Sequence, residues 1–454
     1  MLESMPAPDC RSSLRAGQTV ENGRPVGYRT RISHEGVMVV KGILIIADGL
    51  GGRPTDIAGE TCLEAAATPN LDRLAERGAI GLVDPIGPGI RPGSDTAHLS
   101  LLGYDPYEVY TGRGVFECLG VGLDVQEGDV CFRANFASVE EVDGKLRVTD
   151  RRAGRIETGQ EELEAALSEI ELTDIAGVKA YFRASTEHRG ALLLRGEGLS
   201  PRISETDPHE AGVPISRSVP LDPGDPAAER TATAVNELTR KSYEVLKDLE
   251  VNRRRIAAGN LPANVVLLRG SSQLPHLEPL SSIYGVRGAV IAGGALYRGI
   301  ALACGMEVIR VEGATGGLDT DLSGKAAAAL SALERFDYVF VHVKGPDNAG
   351  HDGDAHAKRA FIERVDRELI GPLVGPVEEG RIHLAFTGDH TTPPEFGDHT
   401  DEPVPVLFAG RNVIPDQARR FGERAAGGGG LGRFSGRVLP ILLGYCDWGP
   451  KFGS

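Results

Sequence analysis

Acidic residues and histidines occur together at three places in the sequence, and both residue types are common ligands of divalent cations. Carboxylate oxygens combined with imidazole nitrogens suit ions such as Zn²⁺, Mn²⁺ and Co²⁺, and carboxylates also suit Mg²⁺. Two such ions held close together can clamp the entering and leaving oxygens of a phosphoryl group. Taken singly, each residue has an ordinary alternative as a turn aspartate or a structural histidine. The candidate ligands are Asp48 in ADGLGG, Asp347 and His351 in KGPDNAGHDGD, and Asp389, His390 and His399 in GDHTTPPEFGDHT.

Ser94 is a candidate nucleophile. It follows Pro-Gly in GIRPGSDTAHLSLLGYDP and precedes a helix-like run. The backbone N–H groups and the dipole at the N-terminus of a helix favour the binding of a phosphate. A serine hydroxyl beside a cation is also more readily deprotonated, which would make it a better nucleophile. The local sequence alone favours another interpretation, in which Ser94 merely caps the helix. Asp95 and His98 are either partners of the site or exposed helix residues.

Basic residues cluster in the middle of the chain, where they could bind a small phosphorylated acid. The planar fork of arginine binds carboxylate and phosphate groups in a bidentate manner. Most surface arginines bind no ligand, so an ordinary surface role stays open for each of them. The candidates are Asp150, Arg151, Arg152 and Arg155 in TDRRAGRI, His188 and Arg189 in TEHRG, and Arg253 in VNRRR.

The three acidic clusters follow apolar runs that are typical of buried parallel strands. Such runs occur at 37–49, 307–313, 337–345, 381–390 and 403–410. Ala- and Leu-rich stretches with helical spacing lie between them, at 320–335 and 354–370. Strands that alternate with helices predict an α/β domain whose functional groups lie at the carboxyl ends of the strands.

The pattern changes over residues 123–284, which combine short alternating stretches with a long helix-like segment near 229–258. We therefore predict an inserted α+β domain over 123–284, with 37–122 and 285–454 forming one discontinuous α/β domain. Residues 1–36 lack apolar periodicity and are typical of a loose extension. The run AAGGGG at 425–430 is most simply a flexible loop.

Composition excludes some classes of partner. The chain has 454 residues, which favours two domains, and 41% of them are hydrophobic. A net charge of −15 argues against a nucleic-acid partner. No apolar run has the length needed to span a bilayer, and the N-terminus lacks the apolar region of a secretory signal. We therefore expect a cytoplasmic enzyme with a small-molecule substrate.

The chain resembles the archaeal-type cofactor-independent phosphoglycerate mutases, which are members of the alkaline phosphatase superfamily. The resemblance covers residues 41–445. Its markers are ADGLGGRP, EAAATPNLDRLA, PGSDTAHLSLLGYDPY, DRRAGRI, EHRG, ETDPHEAG, LPANVVLLRG, GATGGLDTD, DNAGHDGD and TGDHTTP. It implies an alkaline-phosphatase-like, mostly parallel sheet flanked by helices, with a smaller α+β domain inserted.

The resemblance also implies an activity and a set of site residues. The activity is the interconversion of 3- and 2-phosphoglycerate through a phosphoserine on Ser94, with two divalent cations and without bisphosphoglycerate. The insertion would grip the substrate through Arg151, Arg152, Arg155 and Arg189, together with Lys344 from the α/β domain. One metal would be held by Asp48, Ser94, Asp389 and His390, and the other by Asp347, His351 and His399.

Three segments depart from the usual family pattern, namely RGVFECLG, KGPDNAGHDG and TGDHTTPPEFGDHT. The implied catalytic set survives these changes. They leave two alternatives open: a phosphotransferase or mutase acting on a phosphonate or another phosphoglycerate analogue, and a metal-dependent phosphohydrolase of the same superfamily.

Overall fold

The described part of the protein, in a computed structural model, comprises residues 40–451 and 453. The extension predicted over residues 1–36 lies outside the described residues. The strands are β1 (Lys41–Ala47), β2 (Gly78–Asp84), β3 (Val130–Val142), β4 (Lys145–Asp150), β5 (Lys179–Ala184), β6 (Arg189–Arg195), β7 (Val265–Ser272), β8 (Gly288–Ile291), β9 (Glu307–Val308), β10 (Tyr338–Val343), β11 (Ile382–Thr387), β12 (Val404–Ala409) and β13 (Gly432–Ser435).

The helices connect these strands and cover both sheets. They are α1 (Pro69–Ala75), α2 (Ser94–Leu101), α3 (Pro106–Val109), α4 (Gly114–Val121), α5 (Gln160–Ser168), α6 (Pro226–Leu246), α7 (Glu250–Ala257), α8 (Leu280–Tyr284), α9 (Ala295–Ala303), α10 (Leu322–Ala332), α11 (Gly345–His351), α12 (Ala355–Arg364), α13 (Gly371–Glu378), α14 (Glu423–Gly427) and α15 (Val438–Tyr445). A π-helical stretch, Val365–Ile370, joins α12 to α13.

An eight-stranded sheet forms the larger layer, in the order β13-β2-β12-β11-β1-β10-β8-β9. The pairings of β12 with β11 and β2 are antiparallel, and the other pairings are parallel. Strand β1 is buried on both faces: Ile43 and Ile45 belong to one apolar core, and Leu44 and Ile46 to the other. The predicted α/β fold, with a mostly parallel sheet flanked by helices, is confirmed.

Strands β3 to β7 form a separate five-stranded antiparallel sheet. These strands fall within residues 130–272, and α5 and α6 pack on the sheet through a third apolar core. Helix α4 packs both on this sheet and on α9. The boundaries of the inserted domain, 123–284, stay a prediction.

Three predicted elements differ in detail from the structure. The helix-like segment at 229–258 is broken, because Leu249 adopts an extended conformation and the Asn252 side chain caps the preceding helix by donating to the carbonyl of Leu246. The strand predicted over 307–313 is only two residues long, at the edge of the sheet. The glycine-rich run at 425–430 is partly helical.

Helices α4 and α9 approach each other closely through two glycines. A Cβ atom on Gly299 would lie 1.8 Å from the carbonyl oxygen of Phe116, and one on Gly120 would lie 1.8 Å from that of Ala295. We expect Gly299→Ala to lower the free energy of unfolding by at least about 2 kcal/mol, because the two backbones must separate. Urea denaturation measures this change.

Gly444 provides the matched control, because it is also helical but no side chain or backbone from elsewhere in the described structure lies within 4 Å of the Cβ it would gain. Gly444→Ala should stabilise the protein by up to about 1 kcal/mol through helix propensity alone. Similar effects of the two substitutions would contradict the close-packing argument.

Within residues 40–451, no helix combines the length and the apolar character that crossing a bilayer requires.

A candidate two-metal centre

The candidate ligands converge because three neighbouring parallel strands end at the same level. Strand β1 lies between β10 and β11, with Ala47 paired to Val343 and Ile46 paired to Thr387. Each strand is followed within four residues by an acidic ligand, so the clusters meet at the carboxyl edge of the sheet. The strand ends therefore position the site, as the sequence predicts.

The first ligand group comprises Asp48, Ser94, Asp389 and His390. Its oxygens surround a single imidazole nitrogen: Nε2 of His390 lies 3.3 Å from Asp48 Oδ1, 3.3 Å from Asp389 Oδ2 and 3.3 Å from Ser94 Oγ. All four side chains are buried. Three oxygens and one nitrogen this close together are a suitable ligand set for a divalent cation.

The second ligand group comprises Asp347, His351 and His399. Asp347 Oδ1 lies 3.3 Å from His351 Nε2 and 3.6 Å from His399 Nε2. The ring of His399 stacks on the ring of His390 with centroids 3.5 Å apart, so the two groups are adjacent. The six acidic and histidine residues singled out in the sequence thus lie together beside Ser94.

Backbone carbonyls orient the histidines of the second ligand group. His351 Nδ1 lies 2.8 Å from the carbonyl oxygen of Gly397, and His399 Nδ1 lies 2.9 Å from that of Pro92. A carbonyl only accepts, so each Nδ1 carries the proton and each Nε2 presents a lone pair. This arrangement is common for metal-binding histidines.

Unsatisfied buried oxygens in the first ligand group also fit a cation. Asp48 Oδ1 and Asp389 Oδ2 are buried and receive no hydrogen bond from the described residues. Burial, together with the charge of Asp48, raises the pKa of Asp389 to about 7. Two buried carboxylates that repel each other are stabilised by a positive charge placed between them.

Lys344 lies between the two ligand groups. Its Nζ is 3.0 Å from Asp48 Oδ2 and 2.6 Å from Asp347 Oδ2. Burial opposes its charge, but the two carboxylates outweigh that effect and raise the pKa of Lys344. The predicted substrate lysine is thus a cation bonded to both ligand groups.

Ser94 is the first residue of helix α2 and not its cap. The N-cap is Gly93, and the described structure shows no side-chain capping bond there. The interpretation of Ser94 as a capping residue is therefore wrong. His98 is fully buried one turn later, with Nδ1 2.6 Å from the Ser94 carbonyl oxygen, and Asp95 is buried and accepts a hydrogen bond from the Tyr110 hydroxyl. Neither is an exposed helix residue.

Several residues that hold the ligands in place are not among those predicted from the sequence. The Tyr297 hydroxyl donates to Asp48 Oδ2, and His342 Nε2 lies 3.1 Å from the same oxygen. The buried Lys358 donates to the carbonyls of Gly51 and Thr392, which follow β1 and β11. Of these residues only His342 gave a signal, as a histidine inside the apolar run YVFVHV.

Three of the predicted substrate arginines gather around His188. His188 is buried, and its pKa is lowered to about 3 by burial and by nearby Arg189, Arg133, Arg152 and Arg155. Arg133 is an addition to the predicted set. A neutral histidine amid several arginines marks a concentration of positive charge within a protein of net charge −15.

The other predicted substrate residues have partners in the protein. Arg151 makes a bidentate pair with Asp207 at 2.8 and 2.7 Å. Asp150 Oδ1 accepts hydrogen bonds from two backbone N–H groups of its own turn. Arg253 is exposed and lies 3.5 Å from Glu250 on the same helix. For Arg253, the structure shows a pairing within its own helix.

The predicted substrate motifs also contain strained backbone. Ala153 and Arg155 in the first motif have φ values of 46° and 60°, and Glu187 in the second has a φ of 56°. Residues other than glycine rarely adopt this left-handed conformation, which often occurs at functional sites. Arg155 reaches to 3.9 Å from Asp352, the residue after His351, so the first motif approaches the second ligand group.

Known proteins with similar sequences share one description. A sequence model of 2,3-bisphosphoglycerate-independent phosphoglycerate mutases matches residues 75–252. A mutase of that name from Methanothermobacter thermautotrophicus is 46% identical over 418 residues, which are 91% of this chain and 100% of the relative. The chain belongs to this family. A second member, from Methanopyrus kandleri, is 48% identical and covers 91% of this chain and 98% of its own.

Solved structures agree with membership of the mutase family. A protein from Pyrococcus horikoshii has a TM-score of 0.77 and 38% identity, covering 92% of this chain and 100% of its own. A cofactor-independent phosphoglycerate mutase from Thermoplasma acidophilum has a TM-score of 0.63 and 34% identity, covering 90% of this chain and 100% of its own. The family predicted from the sequence motifs is therefore confirmed.

Proposed function

We propose that this protein interconverts 3-phosphoglycerate and 2-phosphoglycerate through a phosphoserine on Ser94. The single observation that carries the proposal is the position of the Ser94 hydroxyl, 3.3 Å from His390 Nε2 within the first ligand group. The names of relatives that are 46% and 48% identical over most of the chain favour the mutase over an analogue-using enzyme or a phosphohydrolase.

The transfer has two balanced steps. Ser94 Oγ attacks the phosphorus of 3-phosphoglycerate, the bond from phosphorus to the C3 oxygen breaks, and the proton lost by Ser94 is matched by one gained at the C3 oxygen. The C2 hydroxyl then attacks the phosphorus of the phosphoserine, the bond from phosphorus to Ser94 Oγ breaks, and the proton lost by the C2 hydroxyl is matched by one gained at Ser94 Oγ. Because the serine carries the phosphoryl group, no bisphosphoglycerate is needed.

The two ligand groups would hold two divalent cations. Asp48, Ser94, Asp389 and His390 would hold one, and the second ligand group the other. Such ions supply positive charge that stabilises the phosphoryl oxygens and favours deprotonation of the serine. The ligand types are compatible with Mn²⁺, Co²⁺, Zn²⁺ or Mg²⁺.

The cationic residues would bind the substrate. Lys344 lies between the ligand groups, where a phosphoryl group would sit, and its ammonium group would contact the phosphoryl oxygens. Arg152, Arg155 and Arg189 would bind the carboxylate and phosphate of the glycerate against the negative field of the protein. They would also retain the glycerate between the two steps, because its escape would leave the phosphoserine to hydrolysis. We place this reaction in the cytoplasm.

A coupled assay tests the proposal. The protein, supplied with Mn²⁺, 3-phosphoglycerate and excess enolase, should produce phosphoenolpyruvate without added bisphosphoglycerate. Free phosphate should appear far more slowly than phosphoenolpyruvate. Release of phosphate as the main product would instead identify a phosphohydrolase, and the absence of both products would favour a phosphoglycerate analogue as substrate.

A further inference from the structure

One buried hydroxyl connects the two ligand groups. Thr392 is fully buried, and its Oγ1 lies 2.9 Å from His390 Nδ1 and 3.0 Å from Asp347 Oδ1. His390 belongs to the first ligand group and Asp347 to the second. The backbone of Thr392 is held as well, because its carbonyl accepts a hydrogen bond from Lys358.

The direction of this hydrogen-bond chain follows from the chemistry of its ends. A hydroxyl has one proton to donate, and an ionised carboxylate only accepts. Lys344, 2.6 Å from the other oxygen of Asp347, favours the ionised form. The Thr392 proton therefore goes to Asp347, which leaves the Thr392 oxygen to accept a proton from Nδ1 of His390.

This direction determines which nitrogen of His390 can bind a cation. With its proton on Nδ1, His390 presents a lone pair at Nε2, the atom surrounded by Ser94 Oγ, Asp48 Oδ1 and Asp389 Oδ2. If the hydroxyl pointed the other way, the proton of His390 would lie on Nε2, directed at those oxygens. That tautomer would oppose metal binding.

We propose that Thr392 is a positioning residue through which the carboxylate of Asp347 fixes the tautomer of His390, so that an acid of the second ligand group controls metal binding by the first. The inference rests on the proposed function insofar as that function assigns one cation to each group. It adds a coupling between the two cations.

Substitutions of Thr392 test the role of the hydroxyl. Metal-free protein is titrated with Co²⁺ by calorimetry, and binding is also followed by the Co²⁺ absorption spectrum. Thr392→Val, which keeps the shape but removes the hydroxyl, should weaken binding at the first ligand group by about 10- to 100-fold, as the loss of an outer partner of a metal-binding histidine does. Thr392→Ser keeps the hydroxyl and should stay within about threefold of the wild type.

Substitutions of Asp347 test the direction of the chain. Both Asp347→Asn and Asp347→Ala remove a ligand of the second group, so the remaining ion reports on the first. Lys344 should face the oxygen of the new amide, which turns the amide N–H₂ towards Thr392 and reverses the chain. We therefore expect Asp347→Asn to bind the remaining Co²⁺ at least about tenfold more weakly than Asp347→Ala.

The outcomes separate this inference from the proposed function. Wild-type affinity in Thr392→Val, or equal affinity in the two Asp347 variants, would overturn the coupling while leaving the metal assignment intact. A wild-type protein that binds fewer than two Co²⁺ ions would refute the metal assignment itself. Thermal melts of the metal-free proteins check folding, and if Thr392→Val does not fold, the Asp347 pair decides.

Discussion

Replacing Ser94 with alanine should abolish mutase turnover while leaving the fold and most of the bound metal in place, because Asp48, Asp389 and His390 remain as ligands. The hydroxyl is the only part of Ser94 that the two transfer steps use, and removal of a nucleophile leaves the binding groups unable to perform the chemistry. We expect kcat to fall by at least about 10³-fold. The coupled assay with enolase measures the loss, and elemental analysis measures the bound metal.

Ser100 provides a matched control for this substitution. It is a buried serine on the same helix, but its hydroxyl lies against Gly436 and not in either ligand group. Ser100→Ala should therefore retain turnover. Mass spectrometry of wild-type protein quenched in the presence of 3-phosphoglycerate should find phosphate on Ser94. Retained turnover in Ser94→Ala, or phosphate on another residue, would show that the nucleophile is misassigned.

The sequence predicted the strand ends at which the ligands lie. A strand that is buried on both faces is a continuous apolar run, and the first polar residue after such a run is easy to recognise in the sequence. Asp48 and Asp389 could be found in this way. The order of the strands could not, since an apolar run does not indicate its neighbours. The run at 403–410 illustrates this: as β12 it pairs antiparallel with β11, which its composition does not indicate.

The residues that hold the ligands in place could not be predicted, because their partners are remote in the sequence. Tyr297 and Asp48 are 249 positions apart, yet the tyrosine hydroxyl donates to the carboxylate. Thr392 is one of two adjacent threonines, and only the structure shows which one contacts both Asp347 and His390. Spacing alone carries no information about such contacts.

The sequence also could not predict which arginines are available to bind a substrate. Arg151 lies in the predicted substrate motif, but it pairs with Asp207, whose position in the sequence gives no sign of this contact. Arg133 lies in a strand and gave no signal, although it contributes to the charge around His188. A motif therefore identified the region of positive charge, whereas folding decided which arginines remain available to a substrate.

Removal of divalent cations should abolish turnover and lower the melting temperature by several degrees. The first ligand group buries two carboxylates with unsatisfied oxygens, and ions that bind only the folded state stabilise it by mass action. Two ions, each present at about a hundred times its dissociation constant, would together contribute about 5 kcal/mol. Activity and melting temperature are measured before chelation, after chelation and after the addition of Mn²⁺, Co²⁺, Zn²⁺ or Mg²⁺.

Substitutions of two neighbouring histidines distinguish the loss of a metal ligand from a general effect of substitution on the protein. His351 belongs to the second ligand group, whereas His356 lies exposed on the next helix. His351→Ala should lose one of the two ions and most of the turnover, and the melting temperature of this variant should respond less to chelation. His356→Ala should keep both ions and behave as the wild type does. If both variants retained two ions, His351 would not be a ligand and the second site would need another donor. If chelation left wild-type turnover unchanged, the reaction would not depend on the two cations.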